Sequence, residues 1–178
     1  MKLLSVFILL FFCLFSPAQD LTKQEKLIDS IFLNKINQYR NEHGVQKIVF
    51  YQKADSLAKS HNKYMLSSEN ITHLEVYGKD TLFPGKRIGL TSYNVENVEG
   101  GDLCKKIVIS NIIYDTKTQL KNENSNLINY LVNTLFVGWK ESQLHNKNLL
   151  DKNIHKGAVS VKFDFDKSFY VADFIAFD

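Results

Sequence analysis

Two apolar runs near the end of the chain, Ala158 to Phe165 and Phe169 to Phe177, are separated only by Asp166-Lys167-Ser168. Runs this rich in β-branched and aromatic residues, joined by a short polar turn, form a β-hairpin. Ahead of it, Ile128, Leu131, Val132, Leu135, Phe136 and Trp139 recur at helical spacing and make the clearest amphipathic helix in the chain. Two earlier stripes have the same period: Ile28, Ile31, Phe32, Ile36 and Tyr39, then Ala54, Leu57, Ala58, His61 and Met65. Gly44 ends the first in the manner of a left-handed cap, with Val45 folding back on the last turn near Tyr39 or Arg40. Helices followed by a strand, a helix and a terminal hairpin predict an α+β fold in which helices cover an antiparallel sheet.

The segments between are less regular. Ile48 to Tyr51 reads as a short extended piece, and residues 71–90 read as loop, punctuated by Gly78, Pro84, Gly85 and Gly89. Tyr93 to Val98 alternates weakly and reads as a strand closed by Gly100-Gly101. Lys105 to Tyr114, rich in Ile and Val, fits a helix or a buried strand equally well. Lys117 to Ser125 is polar and reads as an exposed linker.

The chain starts Met1-Lys2, followed by an apolar stretch to Phe15 and then Ser16-Pro17-Ala18. This is the pattern of a signal peptide over residues 1–18 with cleavage before Gln19. The stretch is shorter than the roughly 20 residues a membrane span needs, so a retained anchor is the weaker reading. The expected product is secreted, extracellular or periplasmic, with a lead-in at 19–26 and one domain over 27–178. Phe11 and Phe12 before Cys13 exclude a lipidation signal, so no stable membrane anchor is expected. With Cys13 removed, Cys104 stands alone, no internal disulfide can form, and the core must hold a domain of about 160 residues. Losing Lys2 leaves 21 basic residues against 19 acidic, a formal +2 that gives no reason to propose nucleic acid or an anionic membrane as partner. A monomer is expected.

Four stretches in series carry a resemblance. Ile36-Asn37-Gln38-Tyr39-Arg40 runs on to Gly44-Val45. Ala54-x-x-Leu57-Ala58-x-x-His61-x-x-Tyr64-Met65 is followed at a short distance by His73. Val95-Glu96-Asn97-Val98 is third. Trp139-x-x-Ser142-x-x-His145-x-x-x-Leu149, with Asn148 before the leucine and Gly157 beyond, is fourth. In this order they resemble the CAP superfamily, also called SCP or sperm-coating-protein-like domains, in its bacterial secreted branch. The resemblance implies a three-layer α-β-α sandwich with a central antiparallel sheet. It also sets departures in view. Val95 stands where the family has a glycine, Tyr170-Val171-Ala172-Asp173-Phe174 replaces a strand that commonly carries Thr-Gln, and residues 99–126 look like an insertion.

The resemblance brings His73, Glu96 and His145 to one cleft. Two imidazoles and a carboxylate suit Zn²⁺ or another divalent metal with an open position. Without metal they could relay a proton, or Glu96 could tie the His73 loop to the sheet. In support, Asn97 and Asn148 are expected to hold loop backbone, Trp139 to be core or cleft wall, Ser142 to bond nearby backbone rather than act as nucleophile, and Arg87 to pair with a cleft carboxylate. His61 reads as a satisfied core histidine, and His155 as exposed. The function expected is an extracellular binding or interaction module toward an unidentified ligand or protein. A metal-assisted hydrolase acting on peptide or cell-wall material is the rival. Lipid binding is a weaker third, since the apolar loop residues Leu82, Phe83 and Leu90 do not by themselves amount to a lipid groove.

Overall fold

The computed structural model describes residues 22–82, 95–103 and 105–178. The leader with Cys13, together with Phe83, Arg87, Leu90 and Cys104, lies outside the described residues.

Helix α1 (Thr22–Glu42) starts within the stretch read as a lead-in. It ends in a full Schellman motif: Gly44 has φ +67°, its N–H donates to the Asn41 carbonyl, and Val45 N–H donates to the Arg40 carbonyl at 2.8 Å. Strand β1 (Val49–Phe50) and helix α2 (Gln52–Ser68) follow. The terminal hairpin is β7 (Lys156–Asp164) and β8 (Phe169–Phe177), and β4 (Val95–Asp102) pairs with β8 along its length. The sheet order is β1-β7-β8-β4. Because β1 runs parallel to β7, the sheet is mixed and not purely antiparallel as expected.

Alternation along the hairpin gives the sheet two covered faces. Val159, Val161, Ala172, Phe174 and Ala176 join the main core with residues of α1 and of α4 (Ser125–Glu141). Ala158 and Ile175 pack against Ala54, Leu57 and Ala58 of α2, with Met65, Val98 and Val171 continuing that layer. A strand covered on both sides needs near-continuous apolar sequence, which is why β7 and β8 carry so few polar residues. Gly157 is required by close approach: a Cβ there would stand 2.7 Å from the Ile175 carbonyl oxygen and 2.8 Å from the Ala176 Cβ.

Several expectations give way. The stretch read as loop after α2 contains a hairpin, β2 (Glu75–Tyr77) and β3 (Asp80–Leu82), turned at Gly78 with φ +64°. Strand β4 continues through Gly100-Gly101, since an edge strand tolerates glycine where a close neighbour sits above it. Lys105 to Tyr114 is neither helix nor buried strand. It is the hairpin β5 (Lys106–Ile109) and β6 (Ile112–Asp115), with Ser110 and Asn111 both left-handed, the turn that matches strand twist. The expected linker is largely helix α3 (Thr116–Lys121), capped by the Asp115 carboxylate accepting from Thr118 N–H at 2.9 Å. It buries Leu120. The stretch expected as an insertion therefore has secondary structure of its own.

On the outer edge of β7, beyond the short β1, Asp29 of α1 accepts the Val161 N–H at 2.7 Å. Its other carboxyl oxygen is buried without a partner, and burial pushes the Asp29 pKa to about 8, the nearby Asp55 and Glu25 adding to the rise and Lys59 opposing it. A carboxyl whose folded pKa lies above its unfolded value stabilises fully at acid pH and loses that contribution as pH rises from about 4 through about 8. Asp29→Asn keeps the acceptor for Val161 and removes the ionisation. Its thermal midpoint should come close to the parent's at pH 4 or below and exceed it at pH 9 by about 5 °C, the equivalent of about 1–3 kcal/mol. Melting curves at the two pH values check this; equal midpoints at pH 9 count against it.

Candidate functional site

The site forms where β4, the last strand of the main sheet, passes the loop after α2 and the short helix α5 (Gln143–Leu149). Successive β4 residues point to opposite faces. Glu96 and Val98 turn toward α2, and Asn97 and Glu99 turn toward α4 and α5. Val95 opens the strand in extended backbone, where a β-branched residue is well suited and the family's glycine is not required.

On the α2 side, the buried Glu96 carboxylate accepts from His73 Nδ1 at 2.6 Å. His73 itself is half exposed. This hydrogen bond, with Glu96 charge assisting and burial opposing, raises the His73 pKa above the usual imidazole value. It also assigns the tautomer: with hydrogen on Nδ1, neutral His73 presents the Nε2 lone pair outward. On the α5 side, the His145 ring lies 6.4 Å from the His73 ring between centroids, tilted by 58°. Burial, with the positive charge on His73 adding, lowers the His145 pKa, so this imidazole stays neutral at neutral pH.

The two asparagines join these halves. Asn97 Nδ2 donates to the His145 carbonyl at 3.1 Å, and Asn148 Nδ2 donates to the Glu96 carbonyl at 3.0 Å and to Asn97 Oδ1 at 2.8 Å. Each bond crosses between α5 and β4, so they fix the backbone carrying His145 against the backbone carrying Glu96. Trp139 contributes no cleft wall. It is fully buried, stacked on Phe32 at 4.7 Å and tilted against Phe174 at 6.2 Å. Ser142 stands at the junction of α4 and α5, where its N–H donates to the Gly138 carbonyl and its carbonyl accepts from Asn146 N–H. Its hydroxyl does not cap α5, so the junction is held by the main chain and not by the side chain as expected. His155 is exposed, as its sequence context predicts. Arg87 lies outside the described residues.

Beneath the cleft is a polar group that the sequence reading did not assemble. His61 is fully buried on the apolar face of α2, with Nδ1 3.0 Å from Glu75 Oε1 and Nε2 2.6 Å from the Thr72 carbonyl oxygen. Nε2 also lies 4.0 Å from Glu96 Oε1. Asp173, in the middle of β8, completes the group, and burial, with Glu96 and Glu75 nearby, pushes its pKa well above the ordinary carboxylate range. An acidic residue inside the otherwise apolar run from Phe169 to Phe177, and a histidine on a helix stripe that is otherwise apolar, were the available signals.

Two places can therefore take a cation. His61, Glu96 and Asp173 each bring a donor atom within 4.8 Å of the others, all buried, and this group could hold a metal ion. Both Asp173 carboxyl oxygens are buried without a hydrogen-bond partner, which suits that reading. Opposing it, a carbonyl only accepts, so His61 Nε2 carries the hydrogen and can ligate only by giving up Thr72. The outer pair has no such conflict. Two imidazoles sharing one tetrahedral zinc stand with centroids about 5 Å apart, given Zn–N bonds of about 2.0–2.1 Å. His73 and His145, 6.4 Å apart, need to close by about 1 Å.

One prediction isolates the Glu96–His73 contact. Glu96→Gln weakens the hydrogen bond and removes the charge that raise His73, so the His73 pKa should fall toward the ordinary imidazole value. NMR titration of the imidazole C–H signals measures this; an unchanged His73 value counts against the contact.

Solved structures repeat this arrangement of helices about a sheet. An extracellular protein containing an SCP domain from Bacillus anthracis aligns over 85% of this chain at 18% identity with a TM-score of 0.53, and this chain spans 41% of that one. An outer surface protein of Borrelia burgdorferi aligns over 89% of this chain and 96% of its own, at 15% identity with a TM-score of 0.55. At these identities the likeness concerns the fold. No helix among the described residues is long and apolar enough to cross a membrane. Among curated proteins there is no significant match. The model of the cysteine-rich secretory protein family matches residues 33–174, from the middle of α1 into β8, and the chain belongs to that family, the CAP domains.

Proposed function

We propose that the protein is a secreted, extracellular binding module whose cleft holds a divalent metal, zinc by preference, on His73 and His145. The observation that carries this reading is the 2.6 Å bond from His73 Nδ1 to buried Glu96. A carboxylate held behind an imidazole in this way fixes the ring and raises its ligand strength, the usual arrangement of metal-bound histidines. Glu96 then acts as the orienting acceptor and not as a third ligand. Its neighbour Asn97, with Asn148, holds the backbone carrying His145 against the strand carrying Glu96. A bound divalent ion would supply Lewis acidity and open positions for an oxygen donor from a ligand or partner protein.

A metal-assisted hydrolase acting on extracellular peptide or cell-wall material is the second reading, favoured by the half-exposure of His73, which leaves room for water beside it. The two separate in one experiment. Purified protein is titrated with zinc by calorimetry, then the loaded protein is incubated with casein, cell-wall fragments and a chromogenic ester. Near-stoichiometric uptake without turnover supports the binding module. Turnover that is lost in His73→Ala supports the hydrolase. Absence of uptake refutes both.

A further inference from the structure

The β5–β6 hairpin and α4 together line an open groove of about 330 Å³ that shares no residue with the histidine cleft. Small-ligand sites span about 300–1,000 Å³. From α4 the lining includes Asn126, Asn129, Tyr130 and Asn133, whose spacing sets them along one face of the helix. From the hairpin it includes Ile112 and Tyr114. No charged side chain lines it.

Three asparagines on one helix face are the unusual feature. Several asparagine side chains elsewhere satisfy structure: Asn37 bonds Ile48, Asn62 bonds Ser160, Asn97 and Asn148 tie α5 to β4, and Asn124 caps α4. Asn126, Asn129 and Asn133 make no side-chain hydrogen bond among the described residues. Asparagine is a poor residue for a helix interior because its amide competes with the backbone, so Asn129 and Asn133 weaken α4 without a structural return. Beside them Tyr130 is 40% exposed and Ile112 56% exposed.

These properties select a ligand chemistry. Each amide offers a donor and an acceptor side by side, which matches adjacent hydroxyls on a sugar ring. A tyrosine ring supplies rigid apolar area with a polar tip, suited to the C–H face of the same ring. A purely apolar occupant would strip water from three amides without replacing their hydrogen bonds. An anion would find no cation in the lining.

We propose that this groove binds a neutral oligosaccharide, with Asn129 and Asn133 hydrogen-bonding ring hydroxyls and Tyr130 covering the apolar face of one sugar. The site is independent of the metal cleft. The test titrates the full chain with cellotriose, maltotriose and triacetylchitotriose, and with a sulfated tetrasaccharide as the anionic comparison, by calorimetry and by NMR of the side-chain amides. At least one neutral trisaccharide should bind with a dissociation constant of about 1 mM or tighter. Asn129→Ala and Tyr130→Ala should each weaken it about tenfold, the size expected from losing one well-made contact. Both positions are exposed, and alanine favours the helix, so unchanged melting points will confirm intact folds. His73→Ala should leave the affinity unchanged. The proposal is overturned if no neutral trisaccharide binds at about 20 mM, far above the weak end of specific recognition. It is equally overturned if only the sulfated sugar binds, or if both variants retain full affinity.

Discussion

Replacing Arg40 with alanine is expected to destabilise the protein by about 3–5 kcal/mol, since it strands several backbone carbonyls at about 1–3 kcal/mol for each one left unsatisfied. For a chain of this size that lowers the melting point by about 10 °C or more. The Arg40 side chain is fully buried. Its Nε donates to the Gln46 carbonyl at 2.7 Å, Nη1 to the Leu149 and Asp151 carbonyls at 2.7 and 3.0 Å, and Nη2 to the Ile154 carbonyl at 3.1 Å. One guanidinium thus ties the segment after α1 to the end of α5 and to the approach to β7. Burial lowers its pKa and Asp151 partly offsets this, while guanidinium remains charged at any working pH. Alanine would leave four backbone carbonyls to find new partners, those of Leu149 and Ile154 in a buried region. Lysine would not rescue, since a single ammonium cannot reproduce the planar fork. Urea unfolding of Arg40→Ala and Arg40→Lys measures this; a loss under about 1 kcal/mol for either would contradict the assignment. Because the same bonds position the end of α5, zinc affinity should fall with stability in these variants.

The second large effect concerns His73 and His145. Each substitution by alanine is expected to weaken zinc binding at least about 100-fold, more than the 10–100-fold typical of losing an outer-shell partner, and the double substitution should abolish it. The metal-free stability should fall by about 1–2 kcal/mol for His73→Ala, because the ring itself is half exposed but the buried Glu96 carboxylate loses its 2.6 Å partner. Asn148→Ala keeps both imidazoles but loosens α5 against β4, so its affinity should fall by an intermediate factor of about 10. Competition against a zinc-responsive dye ranks the four variants against the parent. Equal affinity in parent and double variant would end the proposal for this pair.

Most of the architecture was legible because its signals are periodic. The stripes of α1, α2 and α4 and the two runs of the terminal hairpin announce the faces they bury, and Gly44 marks its cap. What failed were elements whose partners are local. Val108, Ile112 and Ile113 look like core residues in sequence, yet they are exposed on a hairpin, because apolar content cannot tell a buried strand from one that pairs only with its neighbour. Ser110-Asn111 between them could have been read as a turn. Helix α3 was hidden because its single buried leucine, Leu120, gives no period.

The site divides in the same way. His73, Glu96 and His145 were found through motif order, and the structure places Glu96 on His73 and His145 beside it. His61 was read correctly as buried, but its environment was missed. Glu75 and Asp173 lie on other strands, and only tertiary pairing brings three acidic residues around one imidazole. Trp139 illustrates the opposite lesson: a residue inside a functional-looking motif serves the core.

The most direct measurement is anomalous diffraction at the zinc edge from crystals equilibrated with one equivalent of zinc. The account predicts a single peak between His73 and His145, bonded to both imidazoles at about 2.0–2.1 Å, with Glu96 still accepting from His73 Nδ1 and outside ligand distance. A peak among His61, Glu96 and Asp173, or no peak in a protein whose fold is intact, would contradict it.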